Sequence, residues 1–253
     1  MFLYVLITYA QICPDDHHPH MIDLGLPSGT KWACCNVGAD KPEGYGGYYA
    51  WGETEEKDFY DWSTYTHCDG SNSTCHNIGN DIAGTQYDVA HMKWGGSWRI
   101  PSRDQQVELL TKCITMWITK NGGNGMTFIG PNGGTIFLPA AGCRWFDDRN
   151  NFGSDGDYWS SSLDMEEGSY SNACGLNFNS AGKSWFNGNR SIGRTIRPII
   201  NVNDNINPTP PISDTFNQAI YNLYGIKVAD TTADVNTLPP GIYIVNGKKT
   251  VIK

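Results

Sequence analysis

Short apolar runs separated by glycine, asparagine and proline dominate the pattern of the chain between residues 30 and 199. Each run has the length of a single β-strand, and turn-forming residues bound it on both sides. The runs do not alternate with long helical segments, so the pattern predicts an α+β fold with a mainly antiparallel sheet. The predicted strands are TKWACCN (30–36), GYYAW (47–51), MTFIG (126–130), TIFLPAAG (135–142), YWSSS (158–162), NACGLNF (172–178), KSWF (183–186) and GRTIRPI (193–199).

One segment has the period of an amphipathic helix. Ser102 is a favourable N-cap after Pro101, and Gln105 stands three residues later, at the spacing of a capping box. The spacing of the apolar residues that follow predicts a helix that continues through residue 117, and a second short helix is predicted over residues 88–93. The apolar stripe of the longer helix is Val107, Leu109, Leu110, Ile114 and Trp117.

The beginning of the chain is apolar over a short stretch. Residues 2–10 read FLYVLITYA and lack the basic start of a signal peptide. Their alternation favours a first strand, with a clipped export signal as the alternative for residues 1–21. No run in the chain approaches the ~18 apolar residues that a membrane span requires, so we expect no membrane span.

The end of the chain differs from the main body, which is predicted to occupy residues 22–199. Residues 200–217 contain three prolines and no lysine or arginine, which is typical of an extended linker. Residues 218–253 contain four short strand candidates, and Asn246-Gly247 is a strong two-residue hairpin signal. This tail is therefore predicted to be a small all-β appendage.

Composition and charge narrow the class of protein. The chain has 253 residues, of which 29 are glycine and only 17% are charged, so a coiled coil is excluded. Its 12% aromatic residues can fill a core, which makes a disordered chain improbable. The formal net charge is −8, and binding to nucleic acid depends on a basic stripe that displaces counterions. We therefore expect no nucleic-acid partner.

The cysteines indicate an oxidising compartment. Cys68 and Cys75 bracket the polar loop DGSNST and predict a disulfide in an exported protein. Free thiols and a zinc site are the alternatives, because His67 and His76 lie directly beside the two cysteines. Four ligands in two adjacent pairs strain tetrahedral coordination, so the disulfide is favoured over zinc.

Several longer blocks between residues 22 and 199 resemble a known family. The blocks are IDLGLPSGTKWACCNVGADKPEGYGGYYAWGETEEKDFYDWSTY, WGGSWRIPSRDQQVELL, GGTIFLPAAGCRW, GSDGDYWSSS and IGRTIRPI. In this order they are similar to the FISUMP-type major paralogous domain of bacterial surface proteins, which implies a C-type-lectin-like fold with one or two helices. The tail from residue 223 reads LYGIKVADTTADVNTLPPGIYIVNGKKTVIK. It resembles the C-terminal sorting modules of gut-type Gram-negative bacteria, which implies export.

The segment over residues 159–194 is the first candidate site. Aromatic faces suit the C–H faces of sugars, and asparagine amides both donate to and accept from hydroxyls. In C-type-lectin-like folds this late region commonly forms the ligand face, so the resemblance supports the prediction. The alternative is that the rings are core residues and the asparagines form turns. The candidate ligand-binding residues are Trp159, Tyr170, Asn177, Asn179, Trp185, Asn187, Asn189 and Arg190, with Trp185 the leading candidate.

Metal and catalytic chemistry have weaker signals. The oxygen-rich segment DDRNNFGSDGD (147–157) could hold Ca²⁺, although it lacks the terminal glutamate of an EF-hand and the motifs of calcium-dependent lectins, and a solvated turn is favoured. We expect no other cofactor.

All six histidines lie at or before His91, and no hydrolase, zincin or phosphate-loop motif occurs. These absences predict a protein that is not an enzyme.

We therefore expect an exported recognition or adhesion protein, secreted or held at the cell surface, that binds a glycan or a host or partner protein. A structural or interaction domain of a surface assembly is the alternative from another class. A third hypothesis is an oxidase related to formylglycine-generating enzymes, with Cys143 and Cys174 as its cysteine pair. Exposure separates the first two, because Trp185 and Tyr170 would both be buried in a purely structural domain.

Overall fold

The computed structural model describes residues 20–165, 170–201, 220–222, 227–229, 238–245 and 248–252. The chain divides into two compact units, Met1–Asn205 and Ile206–Lys253. The boundary between the units falls inside the stretch that the sequence predicts as a linker. The strand predicted over residues 2–10 and the turn predicted at Asn246-Gly247 lie outside the described residues.

The first unit consists mostly of short strands, with two α-helices in its described part. The helices are α1 (Val89–Trp94) and α2 (Arg103–Lys112), and a 3-10 turn covers Asn72–Thr74. The strands are β1 (Met21–Asp23), β2 (Thr30–Ala33), β3 (Ile114–Lys120), β4 (Gly123–Ile129), β5 (Thr135–Pro139), β6 (Cys143–Trp145), β7 (Asp148–Asn150), β8 (Asp155–Leu163), β9 (Asn172–Asn179), β10 (Gly182–Asn189), β11 (Gly193–Arg194) and β12 (Ile199–Asn201).

These strands form small antiparallel sheets of three. The strand orders are β1-β2-β12, β3-β4-β5, β11-β6-β7 and β10-β9-β8. Every pairing between named strands is antiparallel. The prediction of an α+β fold with mainly antiparallel pairing is confirmed, and the strands are distributed over several small sheets.

Most predicted strands are present at or near their expected positions. The runs at 126–130, 135–142, 158–162, 172–178 and 183–186 correspond to β4, β5, β8, β9 and β10. The run at 47–51 is not a strand, and Tyr49 there makes one isolated antiparallel bridge to Arg194. The run at 193–199 is divided into β11 and β12, because Pro198 has no N–H to continue a ladder.

The predicted capping box begins α2. The Ser102 hydroxyl accepts from the N–H of Gln105, and the Gln105 side chain accepts in return from the N–H of Ser102. The helix ends at Lys112, however, so the prediction that it continues through Trp117 is wrong. Residues Ile114–Lys120 instead form β3, which pairs along its whole length with β4.

Three apolar clusters fill the core of the described part of the first unit, and the smallest lies around Tyr48, Tyr60 and Tyr65. The two larger clusters contain most of the tryptophans and phenylalanines of the core. One contains Trp51, Trp94, Trp98 and Trp159, and the other surrounds Phe128 and Phe178 with α2 packed nearby through Leu109. The rings of Trp94 and Trp98 meet edge to face, with centroids 5.2 Å apart. Gly95 and Gly96 between them have φ of 69° and 58°, which lets the chain reverse direction beneath both rings.

Arg197 is fully buried, and the sequence predicts a carboxylate partner for it near Glu53 or Asp58. The structure places Glu53 elsewhere, since its carboxylate bonds Lys57 Nζ at 2.8 Å. The guanidinium of Arg197 donates to the side-chain oxygen of Asn36 and to four main-chain carbonyl oxygens.

The described part of the second unit contains the strands β13 (Ile220–Asn222), β14 (Lys227–Ala229), β15 (Gly241–Val245) and β16 (Lys248–Ile252). They form a four-stranded antiparallel sheet with the order β14-β13-β15-β16. The unit matches the predicted all-β appendage in strand content.

No helix within the described parts of either unit has the length and apolar character needed to cross a bilayer.

Candidate functional site: exposed aromatic surfaces

The late segment builds the β10-β9-β8 sheet, and β10 is one of its edges. The rings of Trp185 on β10 and of Tyr170 before β9 are 42% and 39% exposed. Both are therefore accessible to a ligand or a partner protein.

Arg103 packs against the ring of Trp185. The guanidinium carbon of Arg103, the first residue of α2, lies 4.0 Å from the centroid of the Trp185 ring. At that distance the cation is attracted to the ring face and fixes the orientation of the side chain. Helix α2 thus supports the exposed edge of the sheet as well as its core.

Two of the predicted ligand contacts are buried. The Trp159 indole donates to the Tyr49 carbonyl at 3.1 Å, and its ring packs beneath the guanidinium of Arg194. Arg190 is inaccessible, and its Nε donates to the Tyr65 hydroxyl at 2.7 Å. Both side chains hold loops together and cannot reach a ligand at the surface, which corrects the sequence prediction for these two residues.

The predicted asparagines do not share one face with Trp185. Side chains alternate along a strand, and Trp185 is paired with Leu176, so Asn177 lies on the opposite face of the sheet. The amide of Asn177 donates to Asp157 at 2.9 Å, and that of Asn179 donates to Asp155 at 3.0 Å. These amides are already engaged within the sheet.

Asn187 and Asn189 have the same parity along β10 as Trp185 and therefore lie on its face. Asn189 is exposed, and Asn187 is half-buried with a side-chain oxygen that has no hydrogen-bond partner among the described residues. The structure thus brings together Trp185, Asn187 and Asn189 on one face of β10, and it separates them from Asn177 and Asn179.

A second group of exposed rings was not predicted. Phe59, Trp145 and Phe146, which we call the hairpin cluster, are 40%, 49% and 41% exposed. Trp145 and Phe146 stack with centroids 5.1 Å apart and an interplanar angle of 17°, and Phe59 lies 5.5 Å from Phe146. Phe146 thus contacts both other rings, and the three together form an apolar surface patch.

The backbone of Phe146 is strained in a way that positions this cluster. Phe146 opens the tight turn between β6 and β7 with φ of 57°, a left-handed conformation that is rare for bulky residues. Its N–H and carbonyl form a reciprocal pair with the main chain of Tyr60, both at 2.9 Å. These two hydrogen bonds hold the turn against Tyr60, so the neighbouring Phe59 lies beside the ring of Phe146.

Arg144 supports the cluster from below. Its guanidinium carbon lies 5.4 Å from the centroid of the buried Tyr60 ring, and Nη1 and Nη2 donate to the carbonyls of Lys57 and Asp58. The segment that carries Phe59 is thereby tied to β6. The only sequence signal for this site was the adjacent pair Trp145-Phe146 inside a polar stretch, since two neighbouring residues of a strand cannot both face the core.

The structure joins Cys68 and Cys75 in a disulfide. The flanking histidines point to separate partners: His67 Nε2 lies 3.0 Å from the Gly52 carbonyl, and His76 Nε2 lies 3.2 Å from Asp69. Burial lowers the pKa of His67, which keeps that ring neutral.

Metal ligands are not gathered elsewhere in the described ranges. Among those residues no group of three or more His, Cys, Asp or Glu side chains could hold a metal ion. In the segment considered for Ca²⁺, Asp155 and Asp157 accept hydrogen bonds from asparagine amides. Burial raises the pKa of Cys143, one of the two cysteines considered for catalysis.

Comparison with known proteins adds no assignment. The chain matches no protein-family model, no curated protein and no solved structure.

Proposed function

We propose that the protein is an exported, non-enzymatic recognition module that binds carbohydrate through the hairpin cluster. The observation that carries the proposal is the packing of Phe59 and Trp145 against Phe146 at the surface, where each residue is exposed by about two fifths or more. Full burial of a large apolar side chain contributes ~1.5–3 kcal/mol, and these residues forgo part of it, so a role outside the core accounts for them.

The chemistry around the cluster suits sugar hydroxyls. Asp58, Asp147 and Asp148 are exposed carboxylate bearers next to the rings in sequence, and Arg149 adds an exposed guanidinium. Apolar faces with a few polar groups beside them are the usual composition of a small-ligand site. Acceptors outnumber donors here, so we propose a neutral sugar, whose hydroxyls donate to the carboxylates, rather than an acidic one.

The β10 face is a second contact surface in this proposal. Trp185, Asn187 and Asn189 retain the ring and amide groups on which the sequence prediction rested. A partner protein or an extended glycan could engage this face separately from the hairpin cluster.

Export and family membership remain part of the proposal. The Cys68–Cys75 disulfide supports an oxidising compartment, secreted or at the cell surface. A C-type-lectin-like fold of the FISUMP type is supported by the sequence blocks together with the mixture of small antiparallel sheets and two helices.

The alternative is a structural or interaction domain of a surface assembly. Burial of Trp159 and Arg190 favours it, because these conspicuous residues of the late segment serve the interior. In that case the exposed rings would contact another subunit instead of a sugar.

A glycan array tests the proposal. We expect the wild type to bind one or more neutral glycans and Trp145→Ala to lose at least about tenfold in affinity, since one stacked ring contributes roughly 1.4 kcal/mol or more. Met92→Ala is the matched control, because Met92 is exposed on α1 and outside both surfaces.

Other outcomes separate the hypotheses. If Trp185→Ala loses binding and Trp145→Ala does not, the glycan binds at the β10 face and not at the hairpin cluster. Absence of binding to every glycan by a correctly folded wild type would remove the carbohydrate proposal and leave the structural alternative.

A further inference from the structure

Cys34 and His20 lie side by side in the first unit. The Sγ atom of Cys34, just after β2, is 3.6 Å from Nδ1 of His20. The Cys34 N–H also donates to the His20 carbonyl at 3.0 Å. The main-chain bond thus holds the imidazole next to the thiol, in the arrangement by which a base accepts a thiol proton.

Cys34 borders a groove of about 580 Å³. It is one of the residues that line this groove, although the residue as a whole is buried. The groove walls are mainly apolar, and Lys120 supplies their positive charge. The apolar wall residues are Ile22, Pro42, Ile118, Ile136 and Phe137.

Arg197 contacts the main chain of Cys34. Nη1 of this buried arginine donates to the Cys34 carbonyl at 3.1 Å, which places a guanidinium beside the residue. Lys120 lines the same groove as Cys34. The neighbouring Cys35 differs, because it is fully buried and its thiol is directed to the Ala39 carbonyl at 3.7 Å.

We propose that Cys34 is a reactive thiol that forms mixed disulfides with small apolar disulfides entering this groove. His20 accepts the thiol proton, and the thiolate attacks one sulfur of the incoming disulfide. A bond forms between Cys34 and that sulfur, the original S–S bond breaks, and the departing thiolate takes the proton from the imidazolium. One disulfide is consumed and one is formed, so no further oxidant is required.

The probe is dipyridyl disulfide, an apolar disulfide that releases a coloured thione. We expect the native wild type to show one fast equivalent of release, which disappears in Cys34→Ser and persists in the matched control Cys35→Ser. Peptide mapping by mass spectrometry should assign the fast adduct to Cys34. Cys113 serves as the internal slow reference, because burial raises its pKa to about 11.

His20 is tested by a pH profile. We expect His20→Asn to slow the fast phase about tenfold at neutral pH and to move the midpoint of its pH profile upward, towards the ~8.5 of an ordinary thiol. The inference is overturned if Cys34 reacts no faster than Cys113 in the native protein. It is equally overturned if His20→Asn leaves both the rate and the profile unchanged. Neither result depends on glycan binding.

Discussion

At the scale of single residues, Phe146 combines two features that local preferences oppose. A bulky aromatic side chain occupies a left-handed turn position, and its ring is left largely in water. Each of these two features, taken alone, lowers the free energy of unfolding. Natural sequences break local rules mainly at functional sites, so this residue supports the placement of the ligand surface at the β6–β7 hairpin.

The backbone strain at Phe146 can be measured. Glycine adopts φ of 57° at no steric cost, whereas alanine does not, so Phe146→Gly should be more stable than Phe146→Ala by about 1 kcal/mol in urea unfolding. Phe59 is the control because it is not among the positive-φ residues. There Phe59→Gly should be the less stable of the pair, by roughly 0.5–1 kcal/mol. Equal stability of the two Phe146 variants would show that the left-handed backbone at this position is not strained.

The sequence could predict chemistry at this scale but not accessibility. The spacing of Cys68 and Cys75 around a polar loop indicated their disulfide, and Trp185 is exposed as a ligand-binding ring must be. Trp159 and Arg190 carry equally suitable groups and are buried. What separates them from Trp185 is what packs against each side chain: Trp159 lies beneath the guanidinium of Arg194, and Arg190 is bonded to Tyr65. These contacts join residues distant in sequence.

At the scale of elements, α2 shows how much local signals can determine. Removal of the Ser102 hydroxyl leaves the N–H of Gln105 without its cap, so Ser102→Ala should reduce the free energy of unfolding by about 1 kcal/mol. Urea denaturation measures the difference. Ser180→Ala at an exposed turn is the matched control and should change stability by less than about 0.5 kcal/mol. Equal losses in both variants would show that the capping box contributes nothing.

The end of α2 could not be predicted from periodicity. Ile114 and Trp117 fit a helical stripe that starts at Val107, yet the segment Ile114–Lys120 is also rich in β-branched residues. Cys113 leaves the helix with φ of −97° and ψ of 143°, and the following chain pairs with β4. A complete ladder of cross-strand pairs outweighs one extra helical turn, because strand preference is set by packing partners.

At the scale of the whole first unit, buried arginines connect segments that no sheet joins. Arg197 links the chain after β2 with β5 through Asn36, Cys34 and Phe137. Arg190 links the disulfide loop to the segment before β9, since Nη1 donates to the carbonyls of His76 and Tyr170. Small sheets of three strands each offer little continuous pairing, and these side chains supply bonds between them.

Arg197 gives the most direct test of this mode of assembly. A lysine keeps the positive charge but cannot reproduce a planar fork with five hydrogen bonds, so buried carbonyl oxygens lose their donors. Arg197→Lys should therefore reduce the free energy of unfolding by about 3–5 kcal/mol in urea denaturation. Arg149→Lys, at an exposed arginine, is the control and should change it by less than about 0.5 kcal/mol.

Arg197→Met separates the contribution of the fork from that of the charge. Methionine removes both the donors and the cost of burying a cation, while leaving the same carbonyl oxygens unpaired. If the hydrogen bonds carry the stability, Arg197→Met and Arg197→Lys should be destabilised alike. A methionine variant as stable as the wild type would show that the buried charge offsets its own hydrogen bonds, and that apolar packing alone holds β5 against the chain after β2.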